Sequence, residues 1–370
     1  MYNQNYNTFW QRMHKSAKEK NFPLRVMFEL TYRCNFYCRH CYVPQGYRKK
    51  RELKTKEVFL ILDQLADMGC FYLGFTGGEP FMRKDVLDIF RYARKKGFEI
   101  IIYTNGSLIN KKTADALRDI RPNKIDITMP AISKGVFEKI VQAKDSHRRV
   151  FEAIELLHKN RINLGFKSCV LKENESEIKD IQYFASSLGA SHRLDDTLSP
   201  CLDGSKKPYE YRGRGELGGV HASRCTLHAS RFTPHATRHT PHADCEPNDA
   251  GLKQVINSHS LSVKNLFKCG AGFSQAAITP SGELKMCVMI DCFKYNILKS
   301  SFKDSWHRLK EAADSIKPDK RYKCIKCELR LYCKWCPGQG WLYDKNFLSC
   351  DPESYNRAKS LKESYERNAI

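Results

Sequence analysis

Phe28 to Tyr42 read FELTYRCNFYCRHCY, and three cysteines stand in this stretch as Cys34-x3-Cys38-x2-Cys41. They follow the apolar run Arg25-Val26-Met27-Phe28-Glu29-Leu30, which predicts a buried strand. The cysteines therefore occupy the loop leaving the C-terminal end of that strand. Three thiolates within eight residues can hold three corners of a 4Fe–4S cube, and a fourth would be needed to close it. The remaining iron keeps a position open to a substrate or cofactor. Zinc is the alternative, but structural zinc takes four ligands, often in two close pairs. His40, beside Cys41, is expected to be a solvated loop residue rather than a ligand.

Downstream, helical and extended patterns alternate. Val58, Ile61, Leu62, Leu65 and Met68 recur at helical spacing, and Gly69 ends the run. Phe71–Phe75 reads as a strand, Asp85–Lys96 as a helix and Ile100–Tyr103 as a strand. Lys111–Asp119 (helix), Ile125–Thr128 (strand), Val150–Lys159 (helix), Leu164–Cys169 (strand) and Glu175–Leu188 (helix) continue the alternation, which ends in a short strand at His192–Leu194. Such alternation predicts an α/β fold with a parallel sheet of right-handed βαβ units. Six strand candidates are too few for a closed eight-strand barrel. Ligands gather at the C-terminal strand ends in such sheets. There stand Thr76-Gly77-Gly78-Glu79-Pro80, then Thr104-Asn105-Gly106, and Thr128. Adjacent glycines let backbone approach a ligand closely, and Glu79 adds a carboxylate. Thr128 reads equally as a plain strand-end hydroxyl, and Asn174 is a further polar candidate.

The cysteine triplet followed by Tyr42, with Gly77-Gly78-Glu79-Pro80 one β/α unit later, resembles the radical S-adenosylmethionine (radical SAM) enzymes. The resemblance implies a partial (β/α)6 TIM-like barrel in which Cys34, Cys38 and Cys41 bind a 4Fe–4S cluster. It further implies that SAM chelates the open iron and is cleaved by one electron to a 5′-deoxyadenosyl radical, which abstracts a substrate hydrogen. Gly77, Gly78, Glu79 and Pro80 are expected at the SAM amino group, Thr104 and Asn105 in the neighbouring loop, and Thr128 near the ribose.

A second constellation follows. Cys269-x12-Gly282-x4-Cys287 precedes Cys324-x2-Cys327-x5-Cys333-x2-Cys336 and Cys350, with a hairpin predicted around Pro280-Ser281-Gly282. This resembles the SPASM domain, a small cysteine-rich iron–sulfur extension of radical SAM enzymes. By that resemblance Cys324, Cys327, Cys333 and Cys350 ligate an outer auxiliary 4Fe–4S cluster, and Cys269, Cys287 and Cys336 an inner one. The inner fourth ligand is Cys292 or an open site. The gap between Cys333 and Cys336 is one residue shorter than usual, which puts Cys336 most in question. A zinc ribbon at residues 324–336 is the rival. Cys70, Cys169 and Cys201 are expected to be buried thiols.

The sequence divides into an N-terminal extension (1–23), a core (24–200), a linker (201–255), the SPASM region (256–352) and a C-terminal helix (353–370). Within the linker, residues 213–247 hold near-repeats with His221, His228, His235, His239 and His242, plus Cys225 and Cys245. Apolar periodicity is almost absent there, so the segment is expected to contribute no cluster ligand. Joining Arg212 directly to Asn248 is expected to leave cluster content and SAM cleavage intact.

Sixteen cysteines without a secretory signal point to metal or redox chemistry in an anoxic cytoplasm rather than to disulfides. No stretch approaches a membrane span. The net charge of +22 is spread over helices such as Arg91 to Lys96 and reads mainly as solvated helix faces. An acidic peptide is the stronger alternative partner, and nucleic acid the weaker. The leading expectation is a peptide-modifying maturase, reduced by a flavodoxin or ferredoxin. Tetrapyrrole or metal-cofactor biosynthesis is the second reading, and a metal-binding module on nucleic acid the non-enzyme one. The residues before Arg25 are too few for a leader-binding domain, so a separate leader-binding protein is expected for a peptide substrate.

Overall fold

The computed structural model describes residues 2–213 and 266–368. The histidine-rich tract lies outside the described residues, apart from Gly213. Six strands, β1 (Arg25–Thr31), β2 (Tyr72–Gly77), β3 (Glu99–Thr104), β4 (Lys124–Thr128), β5 (Leu164–Cys169) and β6 (Ser191–Asp195), lie side by side in chain order, each parallel to the next. Helices α2 (Thr55–Asp67), α3 (Val86–Lys95), α4 (Lys111–Ile120), α5 (Lys134–Val141), α6 (Ser146–Lys159) and α7 (Ile178–Ser187) form the crossovers. This is the partial barrel expected.

The strand register explains the core. Phe28, Phe75, Ile102, Ile125 and Leu164 form one row across five strands, and all are buried. Val58, Ile61, Leu62 and Leu65 of α2 and Val86, Ile89, Phe90 and Ala93 of α3 bury their apolar faces in the same core. Because strand side chains alternate, the other face carries Arg25, Tyr103, Lys124 and Asp126. There Arg25 donates to the Tyr103 hydroxyl (3.0 Å) and Lys124 pairs with Asp126 (2.7 Å). Gly165 has no side chain to compete with that pair, since a Cβ would strike both partners.

The C-terminal cysteine-rich region begins by extending this sheet. β7 (Gln275–Ile278) runs parallel to β1, then β8 (Glu283–Lys285) and β9 (Tyr295–Asn296) add antiparallel. The predicted turn is present, with Gly282 at φ +84°. Periodicity missed four helices. α1 (Tyr2–Glu19) occupies most of the N-terminal extension, and α5 lies between β4 and α6. The Phe302–Ser315 helix is capped by Ser301, whose hydroxyl accepts the Asp304 N–H (3.0 Å). It buries Phe302 and Trp306, and the Trp306 indole donates to the Asn21 carbonyl (3.0 Å). The Pro337–Asp344 helix starts directly after Cys336, with proline in its first turn. The predicted C-terminal helix spans Pro352–Asn368.

Candidate radical site and auxiliary cysteine sites

Cys34, Cys38 and Cys41 lie in the loop after β1, as the sequence predicts. Burial, and then the neighbouring Cys41 and Cys34 thiols, push the Cys38 thiol far above its ordinary value. Burial takes Cys34 up to about 11. All three are half-buried in one loop, and burial keeps them protonated until a metal centre supplies compensating charge. That donor set fits an iron–sulfur cluster.

The loop is held by groups that the motif does not contain. Arg48 donates to the carbonyls of Cys34 (2.8 Å) and Phe36 (2.6 Å), and its guanidinium lies over the Tyr37 ring (4.3 Å). The sequence shows it only as one cation of a basic connector, and no spacing rule marks it. Hydrogen bonds from a charged donor are worth about 1.5–3 kcal/mol each. Arg48→Ala is expected to lower iron incorporation at the radical site several-fold while auxiliary iron is retained, as read by iron content and electron paramagnetic resonance (EPR). Equal loss from all sites would contradict this.

Asn105 carries the next layer. Its amide donates to Asn35 (2.9 Å) and lies 3.8 Å from the Cys34 sulfur, while its carbonyl accepts from the Ser107 hydroxyl (2.7 Å). Glu79 joins the two loops. Its buried carboxylate accepts from the Thr104 hydroxyl (2.8 Å), the Phe81 N–H (3.1 Å) and the Asn105 N–H (2.7 Å). Burial raises it to about 7 against the pull of these donors.

The glycines before Glu79 serve a closer neighbour than a ligand. A Cβ on Gly77 would collide with the Thr31 carbonyl, and one on Gly78 with the carbonyls of Tyr32 and Arg33. Gly77 also sits at φ +137°. Their absent side chains let this loop dock on the chain entering the cysteine loop, where Gly78 and Glu79 donate to Thr31 (2.7 Å) and Arg33 (2.8 Å) carbonyls. Pro80 follows as a buried residue in a short 3₁₀ turn. Thr128 stands half-buried at the end of β4.

Two expectations change. His40 is half-buried rather than fully solvated: its Nδ1 is buried without a hydrogen-bond partner among the described residues, and burial lowers the imidazole to about 4. Asn174 is fully buried, and its side chain is engaged by the Leu171 N–H (2.8 Å) and the carbonyls of Pro130 (2.7 Å) and Cys169 (2.9 Å). It closes its own loop. Cys70 and Cys201 are buried thiols, directed at the carbonyls of Tyr72 (3.6 Å) and Cys41 (3.5 Å). Cys169 is only half-buried, at the end of β5.

Two electrostatic groupings stand out among the C-terminal cysteines. Cys287 is raised to about 12 by burial and then by Cys336 and Cys269. Cys350 is raised to about 11 by burial and then by Cys324, Cys333, Asp351 and Cys327. Cys336 is thus the thiol that acts most strongly on Cys287. Cys292 is raised to about 12 by burial and then by Asp291. No three Cys, His, Asp or Glu side chains among the described residues converge as a single-ion site requires.

Residues 28–185 match the family model of the radical SAM superfamily. The Fe-coproporphyrin III synthase of Methanosarcina barkeri is 31% identical over 42% of this chain, and the chain spans only 39% of that relative. The antilisterial bacteriocin subtilosin biosynthesis protein AlbA of Bacillus subtilis is 26% identical, over 86% of this chain and 68% of its own. Among solved structures, Streptococcus suis SuiB bound to its precursor peptide SuiA superposes with a TM-score of 0.68 at 17% identity, over 94% of this chain and 81% of that one. That likeness concerns the fold. Residues 28–185 are a radical SAM domain, followed in the same chain by a SPASM-type cysteine-rich region.

Proposed function

We propose that the chain is a radical SAM maturase acting on a peptide substrate. Cys34, Cys38 and Cys41 would hold the radical 4Fe–4S cluster, with Gly77, Gly78, Glu79, Pro80, Thr104, Asn105 and Thr128 around the SAM site. When bound, cluster and SAM together supply reductive SAM cleavage and hydrogen abstraction from the substrate. Glu79 and Asn105 position the loop that presents Cys34, and the apolar core behind β1–β3 excludes water. Cys324, Cys327, Cys333 and Cys350 would hold the outer auxiliary cluster, and Cys269, Cys287 and Cys336 the inner one. The inner site keeps a corner for another ligand or the substrate.

The influence of Cys336 and Cys269 on Cys287, and of Cys324, Cys333 and Cys327 on Cys350, supports the two auxiliary sites of this reading. Anaerobically reconstituted protein is expected to hold about twelve irons in roughly three cubes. Stoichiometric zinc with a single cluster would support the zinc ribbon instead. A second reading, tetrapyrrole chemistry, is favoured by the similarity to the Fe-coproporphyrin III synthase. The two separate by product: with reductant and SAM, a precursor peptide gains a crosslink or oxidised residue, or Fe-coproporphyrin III is formed from an iron-porphyrin precursor. Release of 5′-deoxyadenosine with neither substrate class converted would sink both assignments. The remaining proposals are a separate leader-binding protein, a flavodoxin or ferredoxin donor, and a cytoplasmic setting. Among the described residues no helix is long and apolar enough to cross a membrane.

A further inference from the structure

Glu29 of β1 and Lys285 of β8 form an ion pair (3.0 Å) whose side chains are 0% and 2% exposed. β1 leads into the loop of Cys34, Cys38 and Cys41, while Cys287 follows Lys285 by two residues. The pair therefore lies where the two cysteine regions join the sheet. Lys285 also donates to the carbonyl of Val288 (3.0 Å), next to Cys287, and its charge favours the Cys287 thiolate. On the other side, Tyr32 donates to Glu29 Oε2 (3.1 Å). Tyr42, adjacent to Cys41, is within electrostatic reach of Glu29, Cys41 and Cys287 together. Glu29 Oε1 is buried without a hydrogen-bond partner among the described residues.

Stability gives a weak reason for such a pair, because well-packed apolar residues of similar volume are often as stable or more so. Opposite charges fixed in a dry interior beside a redox centre do something apolar residues cannot. They set its reduction potential, which for iron–sulfur clusters follows local charge and hydrogen bonding. We propose that the Glu29–Lys285 pair tunes the potential of the inner auxiliary site relative to the radical site. The proposal rests on the assignment of Cys269, Cys287 and Cys336 to an auxiliary cluster.

The test is an EPR-monitored redox titration of the full-length, anaerobically reconstituted protein and its variants. Glu29→Gln leaves the lysine charge uncompensated and is expected to raise the potential of one auxiliary signal. Lys285→Met is expected to lower the same signal. The charge-neutral double variant returns it towards wild type, with the second auxiliary signal unmoved throughout. Unchanged potentials, shifts of one sign in both single variants, or equal movement of both auxiliary signals would overturn the proposal. Loss of auxiliary iron from the double variant would also overturn it, by making the pair a structural clasp. If wild-type protein shows no second auxiliary signal, the ligand assignment fails first.

Discussion

Replacing Cys34, Cys38 and Cys41 together by alanine is expected to reduce 5′-deoxyadenosine release to background while auxiliary iron stays bound. The two parts of the result come from separate features of the molecule. The three thiols share the loop after β1, and Cys38 is raised by burial and then by both of the others. The C-terminal cysteines depend on different segments, reached through β7 and β8. Iron content should therefore fall by about four atoms of some twelve, the content of one cube. Near-equal loss from all sites would mean that the loop is needed to fold the whole sheet. Continued SAM cleavage by the triple variant would remove the radical-site assignment altogether.

Glu79→Gln carries the second-largest expected effect. The carboxylate accepts three hydrogen bonds across both oxygens. A glutamine amide has one acceptor oxygen, so its NH2 group must face either the Asn105 N–H or the Thr104 and Phe81 donors. An orphaned buried donor costs about 1–3 kcal/mol. The displaced loop is the one whose Asn105 amide reaches Cys34, so SAM affinity should drop at least tenfold, measured by equilibrium binding to reconstituted protein. Unchanged affinity would show that the Thr104–Asn105 loop does not need this anchor.

The pH dependence has a definite sign. Burial raises Glu79 from 4.5 to about 7 in the folded chain. Its contribution is thus fully present below the unfolded value and is lost as pH rises through about 7. Each pKa unit corresponds to about 1.4 kcal/mol, so wild type should lose on the order of 3 kcal/mol relative to Glu79→Gln across that window, enough to close or reverse the gap between them. Urea denaturation at pH 5 and pH 8 checks it, and a gap that widens with pH would refute the argument.

Much of this was written along the chain. Alternating apolar strands and amphipathic helices determined a parallel α/β core, because strand and helix periods are local properties of sequence. The spacing of Cys34, Cys38 and Cys41 determined one metal-capable loop, since residues that close cannot be far apart in space. Tertiary structure decided what spacing cannot express. Arg48 is one of several cations in its segment until the fold lays it across the Cys34 and Phe36 carbonyls. Gly77 and Gly78 suggested room for a ligand, whereas their missing side chains first admit the backbone of Thr31 to Arg33. Glu29 and Lys285 lie 256 positions apart, and only the parallel pairing of β1 with β7 and the β7–β8 hairpin bring them into contact. The physical reason is common to all three. Local periodicity and ligand spacing act over a few residues, while close backbone approach and buried charge pairing depend on which distant strand becomes the neighbour.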